Sequence, residues 1–164
     1  MATNVGDNAL KIALCEDTSV DTDLLTALID MSAVPYTLDS FSSGEALLEV
    51  FEKDKYDLIF LDVYMGELTG VQTAEHIRDI DTQVVIVFTT TSDDFTREGY
   101  RLNAYKYLLK PVVEEDVVDA LELATLKRDK AQGATLAIVT DNVPVVIPLN
   151  DIIFIESSNR KSLV

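Results

Sequence analysis

Apolar residues gather in short runs at Ile12–Cys15, Tyr56–Leu61, Val84–Phe88 and Tyr107–Leu109, with a weaker run at Tyr36–Phe41. Near-continuous runs of Ile, Val, Leu and Phe suit strands buried on both faces, as in a parallel sheet. Between the runs the apolar spacing becomes helical. Val20, Leu24 and Leu28 share one predicted helix face; Leu47, Val50 and Phe51 share a second, and Val71, Ala74 and Ile77 a third. A last helix near Glu114–Lys130 stacks Val117, Leu121 and Ala124, with Val118 alongside. Ser42 followed by Glu45 predicts a capping box that opens the second helix. Strand–helix alternation of this kind predicts an open α/β sheet with helices on both faces.

The pattern changes after Leu126. Residues 127–134 are polar and basic and end near Gly133, which predicts a linker or a helix extension. Thr135–Thr140 and Val143–Leu149 then read as strands around Asp141-Asn142, a hairpin signal, and Ile152–Ile155 as a third strand. Three short strands cannot close a barrel, so 135–164 is expected to be an incomplete β domain. Residues 1–8 carry neither the basic nor the apolar part of a signal peptide and are expected to be flexible. The organisation expected is therefore 1–8, a main domain at 9–126, the linker at 127–134 and the β fragment at 135–164.

Composition narrows the function classes. With 48% hydrophobic and 26% charged residues over 164 positions, the chain is ordinary globular protein with enough length for one core. One cysteine, Cys15, permits no internal disulfide, and with His76 the only histidine there is no Cys/His zinc set. No apolar run approaches a membrane span, so a cytoplasmic protein without a membrane partner is expected. Charge adds more: residues 1–126 hold 8 basic and 25 acidic side chains, net −17, whereas 127–164 hold 5 and 4, net +1. The larger part should repel nucleic acid and accept a cation.

Four apolar runs end in polar residues. Ile12–Cys15 leads to Glu16-Asp17, Tyr56–Leu61 to Asp62, Val84–Phe88 to Thr89-Thr90, and Tyr107–Leu109 to Lys110-Pro111. Ligands of open α/β sheets bind beyond the carboxyl ends of the strands, so these endings should meet in one crevice. Like charges 4 Å apart repel by about 4 kcal/mol at an effective dielectric near 20, so clustered carboxylates call for a divalent cation, a lysine or a proton. Oxygen ligands with open positions suit magnesium, which also binds phosphate. Lys110 supplies a movable ammonium, and a carboxylate is a competent phosphoryl acceptor. Asp62 stands alone after its strand and is singled out as the nucleophile, with Glu16 and Asp17 as metal ligands. Thr90 is preferred over Thr89 as the functional hydroxyl because of its spacing to Lys110.

Glu16-Asp17, Leu61-Asp62-Val63-Tyr64-Met65, Thr90 and Tyr107-Leu108-Leu109-Lys110-Pro111 together resemble the receiver domain of two-component response regulators over roughly 9–126. The resemblance implies a flavodoxin-like, five-stranded parallel sheet. It further implies that a partner histidine kinase phosphorylates Asp62, and that Glu16, Asp17, Asp62 and the Tyr64 backbone carbonyl hold Mg. In that family pattern Thr90 and Tyr107 rearrange on phosphorylation, Lys110 contacts the phosphoryl group, and the Lys110-Pro111 bond is cis. Three residues depart from the pattern: Gly66 stands where Pro is usual, Thr91 where Ala is usual, and the bulky Tyr64 can shield an acyl phosphate.

Pro148-Leu149-Asn150-Asp151-Ile152-Ile153-Phe154-Ile155-Glu156-Ser157 resembles the opening of a LytTR-type DNA-binding domain. There the following loop, here Ser158, Asn159, Arg160 and Lys161, approaches DNA. DNA binding is expected only through a complete output domain, and the hairpin edges are expected to pair across a homodimer or pack on the receiver. The function implied is transcriptional regulation rather than enzymatic turnover. Alternatives are a phosphorylation-independent interaction module, a magnesium-dependent phosphatase of the haloacid-dehalogenase kind, and an FMN carrier. The phosphatase should have an acid where Tyr64 stands, and the carrier a Ser/Thr-rich loop where Glu16-Asp17 stands.

Overall fold

A computed structural model describes residues 9–92, 102–133, 135–140 and 143–148. Its strands and helices run β1 (Leu10–Cys15), α1 (Ser19–Asp30), β2 (Tyr36–Phe41), α2 (Gly44–Val50), β3 (Leu58–Asp62), α3 (Gly70–Ile80), β4 (Val85–Thr90), β5 (Lys106–Leu109), α4 (Glu114–Ala131), β6 (Thr135–Thr140) and β7 (Val143–Pro148). β1 to β5 form one sheet in the order β2-β1-β3-β4-β5, with every pair parallel. This is the flavodoxin-like α/β fold that the resemblance implies.

Alternation along the strands sends side chains to two cores. Leu10, Ile12, Leu14, Phe60, Val85 and Val87 pack under α1 and α4. Ala13, Cys15, Ile59, Leu61, Ile86 and Phe88 pack under α2 and α3. The central strands β3 and β4 are buried at every position, which is why they read as unbroken apolar runs. The chain divides into two units, Met1–Thr125 and Leu126–Val164. In the second, β6 and β7 pair antiparallel, with Thr140 opposite Val143. The third tail strand at Ile152–Ile155 and the loop residues Ser158, Asn159, Arg160 and Lys161 lie outside the described residues.

Two local expectations need correction. The cap of α2 is Ser43, whose hydroxyl accepts from Ala46 N at 3.2 Å, not Ser42. On α1 the buried positions are Leu25 and Ile29, with Leu28 beside them, whereas Val20 is 70% exposed. Val20, Leu24 and Leu28 do share an i, i+4, i+8 stripe, but it is rotated one residue from the face that meets the sheet. On α2 the expected face holds at Leu47 and at Phe51 just past the helix end, both buried, and fails only at Val50, which is exposed. On α3 and α4 it holds: Ala74, Ile77, Val117, Leu121 and Ala124 are all buried.

Candidate functional site

β1 pairs with both β2 and β3, so the sheet grows in two directions from β1 and leaves a crevice beyond the β1 and β3 ends. Cys15 lies opposite Leu61, so the next residues, Glu16 and Asp62, leave adjacent strands side by side. Leu61 in turn lies opposite Phe88, and Thr90 opposite Leu109, which brings Thr90 and Lys110 to the same edge. One carboxylate oxygen each from Glu16, Asp17 and Asp62 lies within 4.8 Å of the other two. Glu16 and Asp62 are buried, and Asp17 is exposed. A hard divalent cation takes oxygen ligands and keeps several waters, so two recessed carboxylates plus one facing solvent match its needs.

Lys110 reaches into this cluster. Its Nζ is 2.8 Å from Glu16 Oε2, 2.9 Å from Asp21 Oδ2 and 3.1 Å from Asp62 Oδ2. Burial disfavours the ammonium, but hydrogen bonds to Glu16 and Asp21 and the charge of Asp62 outweigh it, holding Lys110 above the usual lysine range. Glu16 is pushed the other way from an ordinary glutamate. Burial raises its pKa and the Asp62 charge adds to that, against the hydrogen bonds from Lys110 and Thr18 N. The pocket therefore gathers four carboxylates, Glu16, Asp17, Asp21 and Asp62, around one ammonium. It carries more negative charge than its own residues neutralise.

The surrounding backbone fixes these groups. Thr18 N donates to Glu16 Oε1 at 3.1 Å, and Tyr64 N donates to Asp62 Oδ1 at 3.2 Å. Val63 N donates to Thr89 O, which continues the β3–β4 ladder past Asp62. Gly70, the first residue of α3, sits so close to Asp62 that an added Cβ would lie 2.1 Å from the Asp62 carbonyl oxygen. Only glycine fits there. α3 itself starts with a capping box, Thr69 Oγ1 accepting from Gln72 N and Gln72 Oε1 from Thr69 N.

Thr90 is buried, and its hydroxyl accepts from Ser92 N at 3.2 Å while its carbonyl accepts from Lys110 N at 2.8 Å. Tyr107 packs on Phe88 with ring centroids 4.8 Å apart. Tyr64 is 47% exposed beside the pocket loop. The Lys110-Pro111 bond is cis, as the resemblance implies. Cys15 ends β1 fully buried, 3.6 Å from the Met65 sulfur, with burial pushing its thiol up to about 12. It is a packing residue.

Sequence reasoning missed Asp21. The usable signal was its place one turn before Leu25 on the stripe Asp21–Leu25–Ile29, where a carboxylate occupies a core-facing position at the mouth of the helix. The DNA-contact candidates Asn159, Arg160 and Lys161 lie outside the described residues. No helix among the described residues is long and apolar enough to cross a membrane.

Known proteins match both the fold and the sequence. Residues 12–122 match the response regulator receiver domain family. Protein MrkE of Klebsiella pneumoniae is 25% identical across this whole chain, which spans 66% of its length. The solved response regulatory domain of mrkE aligns over 71% of this chain and 95% of its own, with 31% identity and a TM-score of 0.63. The transcriptional regulatory protein YpdB of Escherichia coli strain K12 is 26% identical over 94% of the chain and 68% of its own length. The sensory transduction protein LytT of Oceanobacillus iheyensis is 28% identical over 92% of the chain and 64% of its own. The chain thus spans about two thirds of these relatives, and with a parallel five-stranded sheet carrying an acidic cluster at its carboxyl edge, it belongs to the response regulator receiver domain family.

Proposed function

We propose that the chain is the phosphoacceptor part of a two-component response regulator that controls transcription through a LytTR-type output. The observation that carries this reading is the convergence of Asp62 with Glu16, Asp17 and Lys110 at one sheet edge. Asp62 is the acceptor. One carboxylate oxygen attacks phosphorus in line, the bond from phosphorus to the donor atom breaks, and the donor leaves with that electron pair, taking a proton from solvent if it is a histidine nitrogen. The carboxylate needs no base because it has no proton to lose. Glu16, Asp17, Asp62 and the Tyr64 carbonyl are the residues to hold Mg. When bound, Mg neutralises charge building on the phosphoryl oxygens and offsets the carboxylate excess.

Lys110 moves from carboxylate to phosphoryl oxygen, and Thr90 donates its hydroxyl to the same group. Tyr107 is the aromatic that follows Thr90. Tyr64, exposed next to Asp62, limits the approach of water. Residues 9–126 form the receiver, 127–134 a linker or helix extension, and 135–164 the start of the output domain. Support for that output comes from the names of the relatives, transcriptional regulatory and sensory transduction proteins, together with the Pro148–Ser157 motif. The phosphodonor in a cell is a histidine kinase, DNA is contacted through Asn159, Arg160 and Lys161 only in a complete output domain, and two copies pair as a homodimer.

The test is intact mass after incubation with Mg and acetyl phosphate. The native chain should gain one phosphoryl group, and Asp62→Asn, which keeps shape and removes the nucleophile, should gain none. An equal gain by the variant would refute Asp62 as acceptor.

A further inference from the structure

Asp21 lies outside the acceptor and metal-ligand set, yet it holds Lys110 as tightly as that set does. Its Oδ2 is 2.9 Å from Lys110 Nζ, between the 2.8 Å contact to Glu16 and the 3.1 Å contact to Asp62. Asp21 stands in the first turn of α1, and its side chain is 30% exposed where that of Glu16 is fully buried. The Lys110 side chain is 11% exposed, so its ammonium has little access to water and depends on these carboxylates. The helix beneath Asp21 is anchored by Leu25 and Ile29 in the core, which fixes the carboxylate over the pocket.

From this geometry we infer that Asp21 is a positioning residue that restrains phosphorylation, by holding Lys110 back from an incoming phosphoryl group and by adding negative charge at the pocket mouth. The inference rests on the reading of Asp62 as phosphoacceptor. Two physical effects act in the same direction. A phosphodonor must displace a charged hydrogen bond before Lys110 can turn to its oxygens. A phosphate dianion entering the pocket also meets a partly exposed carboxylate in addition to the recessed ones. Asp21 touches neither the acceptor nor, in this reading, the metal. It acts through Lys110.

The test uses the full chain with Mg and acetyl phosphate, following the initial rate of phosphoryl gain by mass. Asp21→Asn should react about three- to fivefold faster than the native chain, the size expected for a partly exposed ion pair. Asp21→Glu, which keeps the charge within reach, should return the rate towards native. Asp23→Asn removes a charge from the same helix at an exposed position and should leave the rate unchanged. Damage to the fold would slow the reaction and lower the melting temperature, so acceleration with native melting separates positioning from packing. Should the native chain be phosphorylated on Asp62 while Asp21→Asn is no faster, the restraint is wrong and the acceptor assignment stands. An Asp23→Asn acceleration matching Asp21→Asn would also overturn the restraint, reducing it to net charge. If neither protein gains a phosphoryl group, the acceptor reading fails and the restraint falls with it.

Discussion

Two charged clusters occupy opposite ends of β4, and they treat charge in opposite ways. At its amino end Asp81 is 2% exposed, yet Oδ1 accepts from Gln83 N at 2.7 Å and Val84 N at 3.1 Å, and Oδ2 from Asp54 N at 3.0 Å. Arg78 beside it donates to the carbonyls of Leu102, Asp81, Val84 and Asn103 at 2.6 to 3.2 Å. Each charge is satisfied by backbone, and the cluster ties α3 to β4 and to the Leu102–Asn103 turn. At the carboxyl end four carboxylates share one lysine and few backbone donors. Buried charge that is fully hydrogen-bonded fixes a fold, whereas charge left in excess creates a demand for a ligand. Asp81 and Glu16 show the difference in their protonation. Burial opposes ionisation of Asp81, but three backbone N–H groups and Arg78 hold it below the usual aspartate range; burial keeps Glu16 above the usual glutamate range.

The contrast is easiest to break at the satisfied end. Asp81→Ala strips the acceptor from three backbone N–H groups, that of Val84 buried, and removes the charge beside Arg78, so it should cost about 3 kcal/mol in denaturant unfolding. A loss under about 1 kcal/mol would show that the cluster is not a structural tie. Next in size, Gly70→Ala forces a methyl against the Asp62 carbonyl and should cost roughly 2 kcal/mol, within the usual range for overpacking. It should also slow phosphoryl gain, since the backbone that must shift carries the acceptor. Native rate together with lost stability would separate the acceptor from its glycine support.

The smallest effect carries the opposite sign. Glu16→Gln should stabilise the metal-free protein at neutral pH by under about 1 kcal/mol, because Lys110 keeps Asp21 and Asp62 while one disfavoured charge disappears. The pH profiles sharpen this. A depressed Asp81 contributes stability present above its unfolded value, about 3.9, and lost as pH falls through the lower folded value. A raised Glu16 binds its proton more tightly folded than unfolded, so its contribution falls as pH climbs from about 4.3 through the raised folded value. Denaturant titrations without Mg should show the first slope vanish in Asp81→Asn and the second in Glu16→Gln.

The same division governs what could be read from sequence. Apolar runs located all five core strands to within a few residues. They did so most clearly for β3 and β4, which are buried on both faces and unbroken, and most weakly for the edge strand β2, whose Thr37, Asp39 and Ser40 interrupt the run. The strand-end rule found Glu16, Asp17, Asp62, Thr90 and Lys110 because those residues follow the runs directly. Helix faces were harder. On α1 the apolar residues Val20, Leu24, Leu25, Leu28 and Ile29 support two stripes, and only contact with the sheet chooses Leu25 and Ile29. That ambiguity concealed Asp21, which lies on the chosen stripe. Ser42 and Ser43 are chemically equivalent caps, and the start of α2 decides between them. Arg78 and Asp81 were illegible, because their partners are backbone groups that carry no sequence signature.

Covalent trapping tests the central claim, that the charge excess at the carboxyl edge serves phosphorylation of Asp62, more directly than any variant. The chain treated with acetyl phosphate would be reduced with borohydride, which converts an aspartyl phosphate to homoserine, and its peptides sequenced by mass. The account predicts homoserine at position 62 alone, formed with Mg and lost when the metal is chelated. Homoserine at another aspartate, or at Asp62 in equal amount without a divalent cation, would contradict it.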